Sequence, residues 1–221
     1  MPQEPLTVAE TFRADCRQCE RLAEFRDQVQ DRYPEYYARA VPSFGDPAAR
    51  LLIVGLAPGM HGANATGRPF TGDFAGVLLY QTLFDYGFAN QPLSTAADDG
   101  LELTDCRITN AVRCLPPQNK PSTREVDTCN RYLGEELNKM PKPGLVLALG
   151  TIAHRAVLKA LGLKLSAFPF GHGREHPLEQ GLLLDSYHCS RYNTQTRRLT
   201  EPMFKNVFRG ARKYLTEQDG R

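Results

Sequence analysis

The chain has 221 residues, of which 41% are apolar and 24% are charged, and its formal net charge is +2. This length allows a sizeable core, and the balanced charge argues against broad affinity for polyanions, although it does not exclude a local basic stripe. The N-terminus lacks a basic segment followed by an apolar one, and no apolar run reaches the ~20 residues that span a bilayer. We therefore expect one domain over residues 1–221, a cytoplasmic monomer with no membrane partner.

Helical and strand patterns alternate along the chain. Residues 7–30 predict a polar helix, and the apolar run at 50–56 predicts a buried strand because it is short, rich in branched residues and bounded by glycine and proline. The later predicted elements are a helix at 75–86, a strand at 106–112, a helix at 122–138, a strand at 145–149, a helix at 151–161, a strand at 182–186 and a helix at 200–215. This alternation indicates a parallel sheet covered by helices on both faces.

The loops that leave these strands are expected to meet at one rim. They begin at Ala57, Arg113, Gly150 and Tyr187. In open sheets of parallel strands, ligands bind outside the carboxyl ends of the strands. The active site is therefore predicted at this rim.

Cysteine spacing is the strongest single signal. Cys16 and Cys19 form a C-x2-C pair, and Cys114 and Cys129 form a distant C-x14-C pair. Four thiolates complete the shell of a zinc ion or a [4Fe–4S] cluster. The first pair can share one helical face, or lie on a turn that opens the next helix.

The alternative for the cysteines is a set of buried thiols that behave as small apolar side chains. In a reducing compartment, however, six cysteines favour metal binding or catalysis over disulfides. Burial suits Cys106 and Cys189 best, since neither has a close partner in the sequence. A weak functional role for Cys189 stays open because it follows His188.

The segment GLAPGMHGANATGRPFTGD at 55–73 is a glycine-rich polar loop that contains neither G-x4-G-K-[ST] nor G-x-G-x-x-G. Phe70 is either an anchor packed into the core or a platform on which a base stacks. Asp73 suits the N-cap of the next helix, and capping is compatible with a catalytic role.

The segment HCSRYNTQTRR at 188–198 follows the last strand. His188 at the strand end can donate a hydrogen bond to a carbonyl that gains negative charge. The small and flat polar residues after it are flanked by arginines, which suits minor-groove insertion with phosphate anchoring. The alternative is a solvated charged loop.

Two asparagines follow the second strand. Asn110 at the strand end offers a donor and an acceptor, which match O4 and N3–H of uracil, whereas the amine of cytosine would oppose it. Asn119 lies in the rigid segment PPQNKP. Both residues could instead serve a turn or a backbone hydrogen bond.

Together these motifs resemble those of the type-5 iron–sulfur uracil-DNA glycosylases. Residues 55–73 resemble the first motif of that family, HCSRYNTQTRRLT the second, and VRCLPPQNKP the segment between them. The likeness extends from Cys16 to the final helix. It implies an α/β fold, a three-layer α/β/α sandwich with a four-stranded parallel central sheet, and a structural [4Fe–4S] cluster on Cys16, Cys19, Cys114 and Cys129.

The resemblance also implies a reaction. DNA containing uracil or another deaminated base would be bound, the base flipped out, and its N-glycosidic bond hydrolysed, leaving an abasic site for base excision repair. Asp73 would position water, Asn119 would assist, and His188 would stabilise the departing base. The base site is expected to include Phe70, Asn110, Gly59 and His61. DNA contacts are expected from Arg191, Tyr192, Asn193 and Gln195.

Two positions qualify this interpretation. Ala57 stands where other branches carry an acidic or amide residue, which favours the alternative of a non-catalytic iron–sulfur DNA-binding protein on the same scaffold. Asp73 and His188 favour catalysis. Many type-5 members carry a small residue at the position of Asn110, so asparagine here predicts a tighter preference for uracil over hypoxanthine and xanthine.

Overall fold

A computed structural model describes residues 12–220, so the part of the predicted first helix at 7–11 lies outside the described residues. One sheet of six strands runs through the chain in the order β1-β3-β2-β4-β6-β5. The strands are β1 Phe44–Gly45, β2 Leu51–Gly55, β3 Cys106–Asn110, β4 Gly144–Leu149, β5 Glu175–Leu178 and β6 Gly181–Ser186. The inner strands β3, β2, β4 and β6 are parallel, and the edge strands β1 and β5 are antiparallel to their neighbours.

Helices cover both faces of this sheet. They are α1 Glu20–Arg32, α2 Ala63–Thr66, α3 Phe74–Asp85, α4 Thr123–Lys139, α5 Thr151–Ala160, α6 Arg191–Gln195 and α7 Glu201–Asp219. In β2, Leu51 and Ile53 pack with α3 and α7, whereas Leu52 and Val54 pack with α4 and α5. Successive side chains of a strand point to opposite faces, so a fully apolar strand contributes side chains to the core on each face of the sheet. The α/β/α layering is thus confirmed.

The prediction of four strands was incomplete, because the sheet has six. The predicted strands are the inner four. The edge strand β1 has only two residues. The other, β5, contains Pro177, which is tolerated at a sheet edge but does not indicate a strand.

The first helix starts later than predicted. Cys19 is the N-cap of α1, and its carbonyl accepts the backbone N–H of Ala23 at 2.9 Å. Cys16 lies in the preceding turn, where its N–H donates to the carbonyl of Arg13. The helix predicted over 7–30 is therefore wrong for residues 12–19, and the pair lies on a turn that opens the helix.

Side-chain caps set the starts of α4 and α7 close to their predicted positions. Ser122 and Glu125 form the predicted capping box at the start of α4, and Thr200 caps α7. No helix in the described part of the chain is both long and apolar enough to cross a membrane.

Candidate active site

A cavity of about 540 Å³ opens at the carboxyl ends of the parallel strands. Ala57 after β2, Asn110 at the end of β3, Gly150 after β4 and His188 after β6 all line it. Asn119 adds a side chain from the loop that begins at Arg113. The predicted meeting of the four loops is confirmed, because parallel strands bring their carboxyl ends to one edge.

Three predicted side chains lie side by side in this cavity. The ring of Phe70 is buried and stacks on the ring of His188, with 5.8 Å between centroids and 29° between planes. A Cβ on Gly55 would stand 2.3 Å from Oδ1 of Asn110 and 2.7 Å from Cζ of Phe70. Only glycine at this strand end therefore leaves room for both side chains.

Phe70 also has an uncommon backbone. Its φ is +55°, in the left-handed region that costs energy for a bulky residue. The backbone thereby turns the ring toward Asn110 and His188. Phe70 is thus a packed residue, as the first alternative predicts, and it also forms a wall of the cavity. Its role as a platform for a base stays a prediction.

Asp73 caps α3 and also lines the cavity. Its Oδ1 accepts the backbone N–H of Gly76 at 2.8 Å, while a Cβ on Gly62 would lie 2.8 Å from Oδ2. The missing side chain at Gly62 therefore makes room for the carboxylate. Burial raises the pKa of Asp73, and hydrogen bonds from backbone N–H groups oppose that shift. The predicted N-cap is confirmed, and the catalytic role of Asp73 stays a prediction.

His188 is a neutral imidazole at neutral pH, because burial lowers its pKa to about 4. Its Nδ1 is buried with no hydrogen-bond partner among residues 12–220. The tautomer with hydrogen on Nε2 therefore keeps the single N–H available to a ligand. Asn193 donates from Nδ2 to the carbonyl of His188 at 2.8 Å and so fixes the turn that carries the imidazole.

Asn119 is exposed at the cavity mouth. It ends a 3-10 turn over Pro117–Asn119, in which Gln118 and Asn119 have φ of +55° and +56°. Asparagine tolerates this region better than most residues. The turn directs the loop after Cys114 back to the cavity.

The remaining predicted residues differ in position. Gly59 lines the cavity, whereas His61 is exposed and its Nδ1 lies 2.8 Å from the hydroxyl of Tyr36. Arg191 lines the cavity and holds its guanidinium 5.3 Å from the ring centre of Phe74. Tyr192 is 71% exposed.

The charged loop after β6 contains the short helix α6, which was not predicted. Arg191, Tyr192, Asn193 and Gln195 all belong to it, and Gln195 is exposed. Sequence reasoning also missed the exposed apolar residues Phe74 and Ile152 at the cavity. An apolar residue in the first turn of a helix is the signal that could have identified both.

The four predicted cysteine ligands line one small cavity, and all are free thiols. Burial raises the pKa of Cys114 to about 12 and that of Cys129 to about 11, and the neighbouring cysteines add to both shifts. The other two cysteines are buried away from this cavity: Cys106 and Cys189 are each 0% exposed.

This cavity suits an anionic group. The backbone N–H of Arg113 donates to Sγ of Cys129 at 3.3 Å, and the Tyr132 hydroxyl donates to Sγ of Cys16 at 3.6 Å. Nε of Arg26 and Nε of Arg113 are also buried without a hydrogen-bond partner among the described residues. Four sulfur ligands, two of which accept hydrogen bonds, fit an iron–sulfur cluster, whose properties depend on such hydrogen bonds.

A second group with metal-ligand chemistry is His154, His176 and Asp185. Nδ1 of His154 lies 2.7 Å from Oδ1 of Asp185, and Nε2 of His176 lies 3.0 Å from Oδ2. Nε2 of His154 bonds the carbonyl of Phe168. These hydrogen bonds occupy the ligand atoms, so the group joins α5, β5 and β6 as a structural network.

Comparison with known proteins identifies the family. The model of the uracil DNA glycosylase superfamily matches residues 42–212. The chain is similar to the type-5 uracil-DNA glycosylase of Thermus thermophilus, with 48% identity over 204 residues that cover 90% of this chain and 93% of that protein. For the type-5 enzyme of Pyrobaculum aerophilum the identity is 43% over 201 residues, covering 89% and 88%. For the type-4 enzyme of Sulfurisphaera tokodaii it is 28% over 180 residues, covering 78% and 75%. The chain therefore belongs to the uracil-DNA glycosylase superfamily.

Proposed function

We propose that this protein is a monofunctional uracil-DNA glycosylase that acts in base excision repair as a monomer. The observation that carries the proposal is the cavity in which Phe70, Asp73, Asn110 and His188 meet at the carboxyl ends of the strands. Family membership and similarity to type-5 uracil-DNA glycosylases over 90% of the chain support uracil as the base.

The base would enter the cavity after flipping out of the duplex. Its ring would stack on Phe70, which is held against His188. The amide of Asn110 would donate to O4 of uracil and accept from N3–H. These contacts would offset part of the unstacking cost of a few kcal/mol.

Bond cleavage would separate charge. The glycosidic electron pair leaves with uracil, so the base becomes an anion and the sugar a cation. His188 would donate from Nε2 to the uracil carbonyl that gains charge, and the carboxylate of Asp73 would stabilise the cationic sugar and orient water. Water then adds to C1′ and loses one proton, and the uracil anion takes up one proton, so that a neutral abasic sugar and neutral uracil result. Asn119 would assist from the cavity mouth. Ala57 has no polar group that could position the attacking water. Because the uracil anion is a good leaving group, electrostatic stabilisation by Asp73 and His188 would compensate for this absence.

Cys16, Cys19, Cys114 and Cys129 would hold a [4Fe–4S] cluster with a structural role. When bound, it would tie the turn before α1 to α4 and to the segment after β3. This connection would steady the loop that carries Asn119, five residues after Cys114.

α6 and the arginines around it are proposed to hold the DNA. Arg191, Tyr192 and Gln195 are exposed and would contact the strand that enters the cavity. Asn193 would hold α6 in place through its hydrogen bond to the carbonyl of His188. His61 does not line the cavity, and we expect it to contribute least of the predicted base-site residues.

The test is a labelled duplex with one uracil opposite guanine, scored with and without alkali. Cleavage that requires alkali identifies a monofunctional glycosylase. The rival is a non-catalytic iron–sulfur DNA-binding protein, which Ala57 favours. Folded protein that binds the duplex but releases neither uracil, hypoxanthine nor xanthine would favour the rival.

A further inference from the structure

Arg26 is a buried cation on α1. It is 3% exposed and lies on the face of the helix that also buries Leu22 and Val29. Its Nη2 donates to the carbonyl of Cys16 at 2.7 Å. Its Nε and Nη1 are buried with no hydrogen-bond partner among residues 12–220.

Nearby arginines are paired with carboxylates. Arg17 pairs with Asp27 at 2.6 Å, and Arg21 pairs with Glu125 at 2.6 Å. Even the buried Arg113 has a carboxylate oxygen of Glu136 at 3.2 Å. Arg26 has no carboxylate partner among the described residues, although burying an isolated charge is strongly unfavourable.

Arg26 lies beside the four cysteines. Its Nη2 reaches the carbonyl of Cys16, and Leu22, one turn earlier on the same face of α1, lines the small cavity together with the thiols. The missing negative charge therefore belongs where Cys16, Cys19, Cys114 and Cys129 converge.

We propose that Arg26 is the counter-charge of an anionic iron–sulfur cluster on these four cysteines, and that it stabilises the cluster and raises its reduction potential. This inference rests on the proposed cluster. Four thiolates make such a cluster negative overall, and reduction adds one more negative charge. A buried guanidinium nearby stabilises both states, and the reduced state more.

Arg26→Met tests the proposal because it keeps an apolar stem and removes the charge. We expect iron release to a chelator to be about tenfold faster than in wild type, as for other groups that support metal ligands. The midpoint potential should become more negative. Arg26→Lys keeps a positive charge and should lie closer to wild type in both measurements.

Arg17→Met is the matched control, because Arg17 is an exposed arginine in the same segment with its own carboxylate partner. It should leave iron release and potential unchanged. Arg26→Gln, neutral but polar, repeats the test if the methionine variant does not fold. Unfolding should be followed by circular dichroism in every variant.

The outcomes are distinguishable. Wild-type protein without iron and sulfide would refute the proposed cluster itself. If wild type carries the cluster but the neutral variants at Arg26 match the lysine variant in iron release and midpoint potential, the role of Arg26 is refuted while the proposed cluster stands.

Discussion

At the scale of one residue, Asp73 has two structural roles: one carboxylate oxygen caps α3, and the side chain also lines the cavity. Burial raises its pKa, so the native state holds a proton to higher pH than the unfolded chain does. The free energy of unfolding therefore decreases as the pH rises from the pKa of Asp73 in the unfolded chain to its higher pKa in the native state, and it stays lower above that range. A residue that costs stability when charged is typical of an active site.

The change Asp73→Asn should separate these roles. Asparagine caps helices about as well as aspartate, so the unfolding temperature should not fall. Uracil release in single turnover should fall about 100-fold, because the charge that stabilises the cationic sugar is lost. As a stability control, Ser122→Ala removes the cap of α4 away from the cavity and should cost about 1 kcal/mol with little loss of rate. An active Asp73→Asn enzyme would contradict the proposed role.

His188 predicts the pH dependence. Its ordinary pKa is 6.5, and burial lowers it to about 4, so the native imidazole stays neutral where an exposed one would titrate. The single-turnover rate should thus show no break from His188 between about pH 5 and 8. Between pH 6.5 and about 4, His188 binds a proton in the unfolded chain but not in the native state, so the free energy of unfolding should fall as the pH drops below 6.5. The variant His188→Gln should show a weaker fall.

A step in the single-turnover rate near pH 6.5 that is present in wild type and absent in His188→Gln would contradict the lowered pKa.

Asn110 predicts selectivity. In the Asn110→Ala variant, the release of hypoxanthine relative to uracil should rise roughly tenfold, because an unpaired buried polar group costs about 1–3 kcal/mol and alanine imposes no such cost on a mismatched base. The measurement compares single-turnover rates on two duplexes that differ only in the damaged base. An unchanged ratio of the two rates would remove Asn110 from base selection.

Residues at strand ends could be predicted because topology alone places them together. Asn110 and His188 follow apolar runs, and parallel strands bring such positions to one rim. Arg26 could not be predicted, since an arginine in a polar helix is ordinarily exposed. Arg26 follows Cys19 by seven residues and lies on the same face of α1 as Leu22. This spacing indicates a buried arginine near the cysteines only when the structure shows that the four thiols lie together.

At the scale of elements, the long apolar strands and the capped helices follow directly from sequence. The capping box of α4 and the apolar run of β4 each depend on local chemistry. By contrast, α2 has four residues and α6 has five, too few for any helical periodicity. β1 exists only because it pairs with β3, a contact that no local pattern encodes.

Arg191 on α6 gives an element-scale prediction. It is exposed beside the cavity, so Arg191→Ala should weaken DNA binding and lower the slope of log affinity against log salt by about one. Lys213→Ala is the matched control, because Lys213 is an exposed cation on α7 that faces Glu217 at 3.8 Å. Equal salt slopes for the two variants would exclude a phosphate contact by Arg191.

At the scale of the whole molecule, two cations on α7 have partners within the protein. Lys205 pairs with Asp85 and Glu201, and Arg212 donates to the carbonyl of Tyr86 while its guanidinium lies 3.7 Å from the ring centre of Phe88. These contacts engage both cations within the protein. In the loop after β6, by contrast, Arg191, Arg197 and Arg198 are exposed, so this loop is a basic surface near the cavity.

Gly55 and Asn110 occupy paired positions on neighbouring strands. Any side chain at 55 would collide with the amide at 110 and with the ring of Phe70. The two positions are therefore epistatic: loss of the amide at 110 removes one of the two collisions, so the effect of a substitution at 55 cannot be added to that of a change at 110. A side chain at 55 costs less after position 110 has changed than before it, which makes the order of these two substitutions, and not only their identity, a property of this fold.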